Sequence, residues 1–390
     1  MRLNKLWKME NRKLDQILGN AEREIRERVE KTKQKEEKAR FKFDYTPREL
    51  KEELSKYVIG QEEALVQVCN AVCYHYQALS SGHDNSKSNV MMIGPTGCGK
   101  TYIMQKISEI IKVPILISDA TKYSGTGYVG DKVENLVSDL IAKADGNLNS
   151  ASRGIIYIDE IDKIAVRDGS SRDVSGRDVQ NGLLKIIEGS DVKVHLDGVE
   201  RLVNTKDMLF MCGGAFSDLY KILKGTAQTN PSKDKDSNDG ETLYSAKPEQ
   251  LLKSLQKYGM IPELLGRIPV IAKLTELSVD DLSNILVSSQ DSVTKAYQKD
   301  LAIYNINLQF TPDAYKRIAQ LAHERRMGAR GLKSVVEESL SSYKFYLPGT
   351  DIKELTISSQ EIDHPEESLL QLLETYSTKS TGGVKNGSTK

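Results

Sequence analysis

Cysteine is scarce in this 390-residue chain: there are four, Cys69, Cys73, Cys98 and Cys212, and no C-x-x-C pair. That excludes a disulfide framework, a zinc ribbon and a thioredoxin-like motif. Cys69 and Cys73 fall on a stripe with Leu65, Val68, Val72 and Tyr76 at helical spacing, which reads as buried core rather than metal ligation. No apolar run approaches the ~18 residues of a membrane span, and the first residues hold no apolar signal segment. The expectation is a reducing, cytoplasmic compartment and no membrane partner. A mitochondrial leader fits less well, because the basic first segment also contains many acids. Net charge is lacking too, with 55 Lys+Arg against 55 Asp+Glu. A balanced chain does not coat nucleic acid by bulk electrostatics. The balance is uneven, though. Residues 1–42 hold 14 Lys/Arg and 8 Asp/Glu, a net of +6, so the remainder carries −6.

Length predicts roughly two to three domains at ~150 residues each. Residues 1–43 lack proline, and Leu14, Leu18, Ala21, Ile25 and Val29 keep helical spacing on a charged background. This arm fits a solvated helix, a short coiled coil or a docking element. Thr46-Pro47-Arg48-Glu49 has the form of a helix start, with a threonine cap, proline at the first position and an early acid. A helix follows over about 61–79. Short apolar strands at 89–93, 115–118, 155–158 and 208–212 then alternate with helices, which predicts an α/β fold with a parallel sheet. Residues 190–204 read as a hairpin turning near Asp197-Gly198. From about 274 the pattern is mostly helical, with short strands at 306–310 and 355–358. The predicted division is an arm (1–45), a large α/β domain (46–272), a small helical domain (273–365) and a polar, disordered tail (366–390).

Gly94-Pro95-Thr96-Gly97-Cys98-Gly99-Lys100-Thr101 fits G-x-x-x-x-G-K-[ST] in full, between a predicted strand and a predicted helix. Glycines let the backbone wrap phosphates with N–H groups pointing inward, and the helix N-terminus adds partial positive charge. Lys100 is the candidate for the β/γ-phosphates and Thr101 for Mg²⁺. Ile155-Ile156-Tyr157-Ile158 leads into Asp159-Glu160, an apolar strand ending in two acids. Asp159 is the second Mg²⁺ candidate and Glu160 the general base for an attacking water. Acids at strand ends are common, but with the phosphate loop they point to ATP hydrolysis.

With these residues in hand, the sequence over about 46–360 resembles the ClpX branch of AAA+ protein unfoldases. Tyr57-Val58-Ile59-Gly60-Gln61 is similar to the segment lining the adenine pocket. Gly127-Tyr128-Val129-Gly130 is similar to the pore loop that grips polypeptide. Arg172-Asp173-Val174-Ser175-Gly176 and Cys212-Gly213-Gly214-Ala215-Phe216 match further blocks of the family. Ile261-Pro262-Glu263-Leu264-Leu265-Gly266-Arg267 resembles the arginine-finger block, and Gly328-Ala329-Arg330-Gly331 the sensor-2 block. The resemblance implies a P-loop AAA+ fold, ATP and Mg²⁺ as cofactors, and unfolded or tagged proteins as substrates. It further implies a homo-hexamer in which Arg267 reaches the neighbour's γ-phosphate. Each has a plainer competing reading from its residues alone: Arg267 as a surface arginine just after a helix end, Arg330 as a surface arginine at a helix start, and Tyr128 as a turn tyrosine packed on the body.

The departures are as informative. The family's four-cysteine zinc domain is expected to be absent, since the first cysteine is Cys69. No Gly-Phe dipeptide occurs, and the charged stretch 224–247 stands where ClpP-dependent relatives carry an apolar docking tripeptide. The span from Glu160 to Met208 leaves no room for the inserted domain of HslU. The expected function is therefore polypeptide threading through a ring without the usual ClpP docking. The alternatives are a nucleic-acid motor or loader using the basic arm, and a regulator for which ATP is only a switch. The first lacks an aromatic-interleaved basic patch. The second does not need the full set of Lys100, Asp159, Glu160 and Arg267.

Overall fold

The computed structural model describes residues 41–82, 87–123, 131–166, 172–196, 198–226, 243 and 245–381. The chain divides into two compact units, residues 1–44 with 76–85, and residues 45–75 with 86–390. Of the first, the described part is small: Phe43 stacks on Tyr76 with ring centroids 5.5 Å apart, and Phe41 lies at the same distance from that ring. The helical arm expected over 1–45 falls almost wholly outside the described residues.

The second unit is built on a five-stranded parallel sheet: β1 (Val90–Ile93), β2 (Ile115–Asp119), β3 (Ile155–Asp159), β6 (Leu209–Gly214) and β7 (Val270–Lys273), in the order β2-β3-β6-β1-β7. β4 (Asp191–Leu196) and β5 (Val199–Asn204) form a separate antiparallel hairpin. β1 and β6 are buried along their whole length, which is why they read as unbroken apolar runs. On one face Met91, Ile93, Ile156 and Ile158 pack with Val137, Leu140, Leu183, Ile187 and Leu255 from three helices. β7 escaped the sequence reading. It is four residues long, starts directly after Pro269 and ends in Lys273, and its three apolar residues are too short a run to stand out as a strand.

The strand order fixes the site. β6 lies between β1 and β3, so the phosphate loop after β1 and the acids after β3 emerge at the same edge, one strand apart. In open parallel sheets this carboxyl edge is where ligands bind. The expected hairpin is present, closing at the Leu196–Val199 pair with Gly198 at φ 75°. The helix predicted from Thr46 runs over Pro47–Leu54, and Thr46 and Glu49 close a reciprocal capping box.

After β7 the chain becomes helical around a second core of Leu282, Leu286, Ile318, Leu332, Val336 and Leu340. β8 (Asn307–Phe310) and β9 (Glu354–Ile357) pair in parallel beside it. One expectation is corrected here. The segment read as a disordered tail from 366 forms a helix over Pro365–Thr381. Leu369 is buried in the second core, and Leu372, Leu373 and Tyr376 pack against it. The polar composition concealed an apolar stripe at helical spacing. Residues 382–390 lie outside the described part.

Candidate active site

The phosphate loop passes straight into the helix Lys100–Ile111. Gly97 and Gly99 take positive φ, +80° and +101°, a conformation that other residues adopt at a cost. Gly99 caps the helix, and no side chain bonds the first N–H groups. A helix N-terminus without a side-chain cap inside a wrapped loop is a ready anion site. Lys100 is buried there, its ammonium donating to the carbonyls of Gly94 (2.6 Å) and Pro95 (2.9 Å). Burial pushes the Cys98 thiol up, so it stays protonated beside the lysine.

The two motifs meet through a hydrogen bond. Thr101 Oγ1 donates to Asp159 Oδ2 at 2.6 Å. Asp159 Oδ1 accepts from the Glu160 N–H at 2.9 Å and from the Tyr157 hydroxyl at 3.3 Å. Burial, then the Asp159 charge, drive the Tyr157 hydroxyl far above its usual range, so it remains a donor. The paired glycines of β6 make room for it. A Cβ at Gly213 would lie 1.9 Å from that hydroxyl oxygen. Gly214 leaves space for the Phe216 ring and for Asp162, whose carboxylate accepts from the Ala215 N–H at 3.3 Å. Glu160 sits at φ 54°, an uncommon conformation that costs backbone energy and recurs at functional sites.

Lys100, Thr101, Asp159 and Glu160 open into a cavity of about 530 Å³. Its polar lining also includes Arg330, and its apolar lining comprises Val58 and Ile59 together with Leu277, Ile285, Val293 and Leu332. An apolar slot joined to a cationic cradle suits a nucleoside triphosphate in size and chemistry. The oxygen-only pair of Thr101 and Asp159 fits Mg²⁺, a hard cation that keeps most of its waters and takes phosphate oxygens.

Three residues that sequence reasoning did not single out individually hold this arrangement. Gln61 is buried. Its amide donates to Thr275 O at 2.9 Å and Cys98 O at 3.4 Å and accepts from Thr275 N–H at 3.0 Å, tying the loop to the segment after β7. Gln180, fully buried, bonds Ile164 O, Gly259 O and the Ile261 N–H. Tyr157 supports Asp159 as described. Their partners are as much as 214 positions away in sequence, and no local pattern marks them.

Arg267 lies elsewhere. Its carbonyl accepts from Asn89 Nδ2 at 2.8 Å, just before β1, and its guanidinium pairs with Glu188 Oε1 at 2.9 and 2.8 Å. The four residues of β1, roughly 13 Å of strand, separate Asn89 from the phosphate loop. Arg267 does not line the cavity of its own chain. Tyr128 and Val129 lie outside the described residues. The segment holding them is bracketed by the Asp131 N–H bond to Lys122 O, 3.0 Å.

Relatives resolve the family. Residues 85–271 match the model for the AAA domain (Cdc48 subfamily), and residues 277–343 that for the C-terminal D2-small domain of ClpB. The chain is 40% identical over 340 residues to the ATP-dependent Clp protease ATP-binding subunit ClpX of Treponema denticola, covering 81% of each chain. It is also 40% identical over 339 residues to the ClpX of Borrelia duttonii, covering 81% of this chain and 78% of that one. This chain belongs to the ClpX family of AAA+ ATPases. It binds nucleotide and is an ATPase of the Clp unfoldase class. Among the described residues no helix is long and apolar enough to cross a membrane.

Proposed function

We propose that this chain unfolds proteins as a homo-hexameric ring, threading polypeptide through a central pore with Tyr128 and Val129 as the gripping residues. Lys100 and the N–H groups of residues 94–101 bind the phosphates, Val58 and Ile59 flank the base, and Arg330 contacts the phosphate end from the helical side. Thr101 and Asp159 hold Mg²⁺, which neutralises phosphate charge when bound. Glu160 takes the proton of the attacking water, held on a backbone that Asp159 fixes through the Glu160 N–H. The working division is a large domain (46–272) and a small domain (273–365) that rock against each other, in the cytoplasm.

The observation that carries the ring is the placement of Arg267. The cavity gathers Lys100, Thr101, Asp159, Glu160 and Arg330, while Arg267 is held at the opposite edge of the sheet. An arginine that acts on a γ-phosphate from there acts on a neighbour's. The stretch 224–247 is mostly charged and polar and the chain holds no Gly-Phe dipeptide, which supports a ring that works without the usual ClpP contact. The test is ATPase rate with and without an unfolded protein, alongside sizing in ATP. A hexamer with protein-stimulated turnover is expected, and a monomeric enzyme indifferent to protein refutes the reading. Tyr128→Ala is expected to keep ATPase activity and lose unfolding. Degradation of a tagged substrate by a mixture with ClpP would overturn the docking proposal.

A further inference from the structure

Part of the nucleotide cavity's lining is left unexplained by the motifs: Tyr102, Gln105, Ser289 and Asp291 belong to it, with Tyr57 of the adenine-pocket segment. Behind them lies Lys106, on the helix that the phosphate loop opens, with 9% of its surface exposed. Its ammonium is 2.5 Å from Asp291 Oδ2 and 2.7 Å from Glu109 Oε2. The rings of Tyr57 and Tyr102 stand over it, with centroids 4.9 and 5.5 Å away. The Tyr102 hydroxyl donates to the same Asp291 oxygen at 3.4 Å.

Asp291 sits in the turn between the helices Val279–Ser288 and Val293–Ala302, in the helical part of the chain. That turn is fastened to the segment before Val58 at two further points. Ser289 Oγ donates to Tyr57 O and the Gln290 N–H to Lys56 O, both at 3.1 Å. Of these attachments only Lys106–Asp291 is ionic. Glu109 belongs to the same helix as Lys106 and fastens nothing across the cavity. Ile285 and Val293, which wall the apolar slot, flank the turn on either side.

We propose that Lys106 and Asp291 are a positioning pair for ATP, an ionic strap that holds the 289–291 turn and the apolar wall beside it against the base end of the cavity. The inference rests on the cavity being the nucleotide site. Lys106 is shielded, while the Asp291 side chain is 47% exposed. Removing Asp291 leaves the Lys106 ammonium short of counter-charge in a partly dehydrated place, and removing Lys106 releases the Asp291 carboxylate to water, so the turn loses its ionic hold in either case. The turn then relaxes outward and the base loses its wall. The phosphate end, where chemistry takes place, is untouched. The strap therefore governs affinity and leaves the rate of the bound state alone.

The test uses the full chain, a fluorescent ADP and ATP turnover. Lys106→Met and Asp291→Asn are each expected to raise the ADP Kd and the ATP KM about five- to tenfold, with kcat within twofold. Combining them is expected to cost no more than the worse single change. Lys106→Arg keeps the charge and is expected to hold Kd within twofold. The exchange Lys106→Asp with Asp291→Lys recovers part of the loss. Unchanged Kd in the single variants, additive losses in the double, or a fall in kcat at constant Kd overturns the proposal. Failure of the unaltered chain to bind the ADP probe would instead remove the nucleotide reading on which it rests.

Discussion

His75 is 7% exposed on the helix Glu62–Ser81, and its Nε2–H donates to the Asp207 carbonyl at 3.1 Å. Burial, with a smaller contribution from the Lys87 charge, pushes its pKa from 6.5 down to about 4. The folded state therefore keeps the ring neutral where the unfolded chain already binds a proton. Stability from this source is complete above pH 6.5 and is lost as pH falls from 6.5 to 4, on the order of 3 kcal/mol in all. Melting temperature is expected to fall across that window, and less steeply in His75→Gln. Equal slopes in the two proteins would refute the assignment. At this scale the candidate site was legible where its residues are contiguous in sequence. Lys100, Thr101, Asp159 and Glu160 stand in contiguous motifs, and the structure brings them to one cavity. Gln61, Gln180 and Lys106 were not legible as supports, because their partners lie far away in sequence, and Tyr157 was hidden as one apolar-looking member of its strand although its partner Asp159 is two positions on.

Elements were readable in proportion to their periodicity. β1, β3 and β6 announced themselves as apolar runs, and the helix Pro47–Leu54 by its capping residues. The helix Pro365–Thr381 was missed because its exposed face dominates its composition. Its packing makes a contrast of neighbours. Leu369 is 4% exposed and Leu370 60% exposed. Leu369→Ala is expected to cost about 2–4 kcal/mol in chemical denaturation. Leu370→Ala is expected to stay within about 0.5 kcal/mol. Were the segment a solvated tail, both changes would be neutral.

On the scale of the whole molecule, the separation of Arg267 from its own cavity makes a prediction about mixtures. Glu160→Gln is expected to bind ATP without turning it over, and Arg267→Ala to lose turnover for want of the neighbour's guanidinium. Each variant alone is expected to be inactive. In the proposed ring a mixture would contain interfaces in which an intact Glu160 site faces an intact Arg267, so part of the ATPase activity is expected to return. Absence of any recovery in verified mixed rings would place Arg267 outside the active site.

The helical part of the chain meets the phosphate loop through its backbone. The Ala329 N–H donates to Gly97 O at 3.0 Å, and a Cβ on Gly97 would fall 2.2 Å from Met327 O. Peptide meets peptide there, with no side chain interposed. Alanine scanning works by subtraction, and at this joint there is nothing to subtract. A scan of every side chain would report the Gln61 and Lys106 attachments and pass over this backbone contact. Adding a single methyl group at Gly97 or Gly328 would expose it at once.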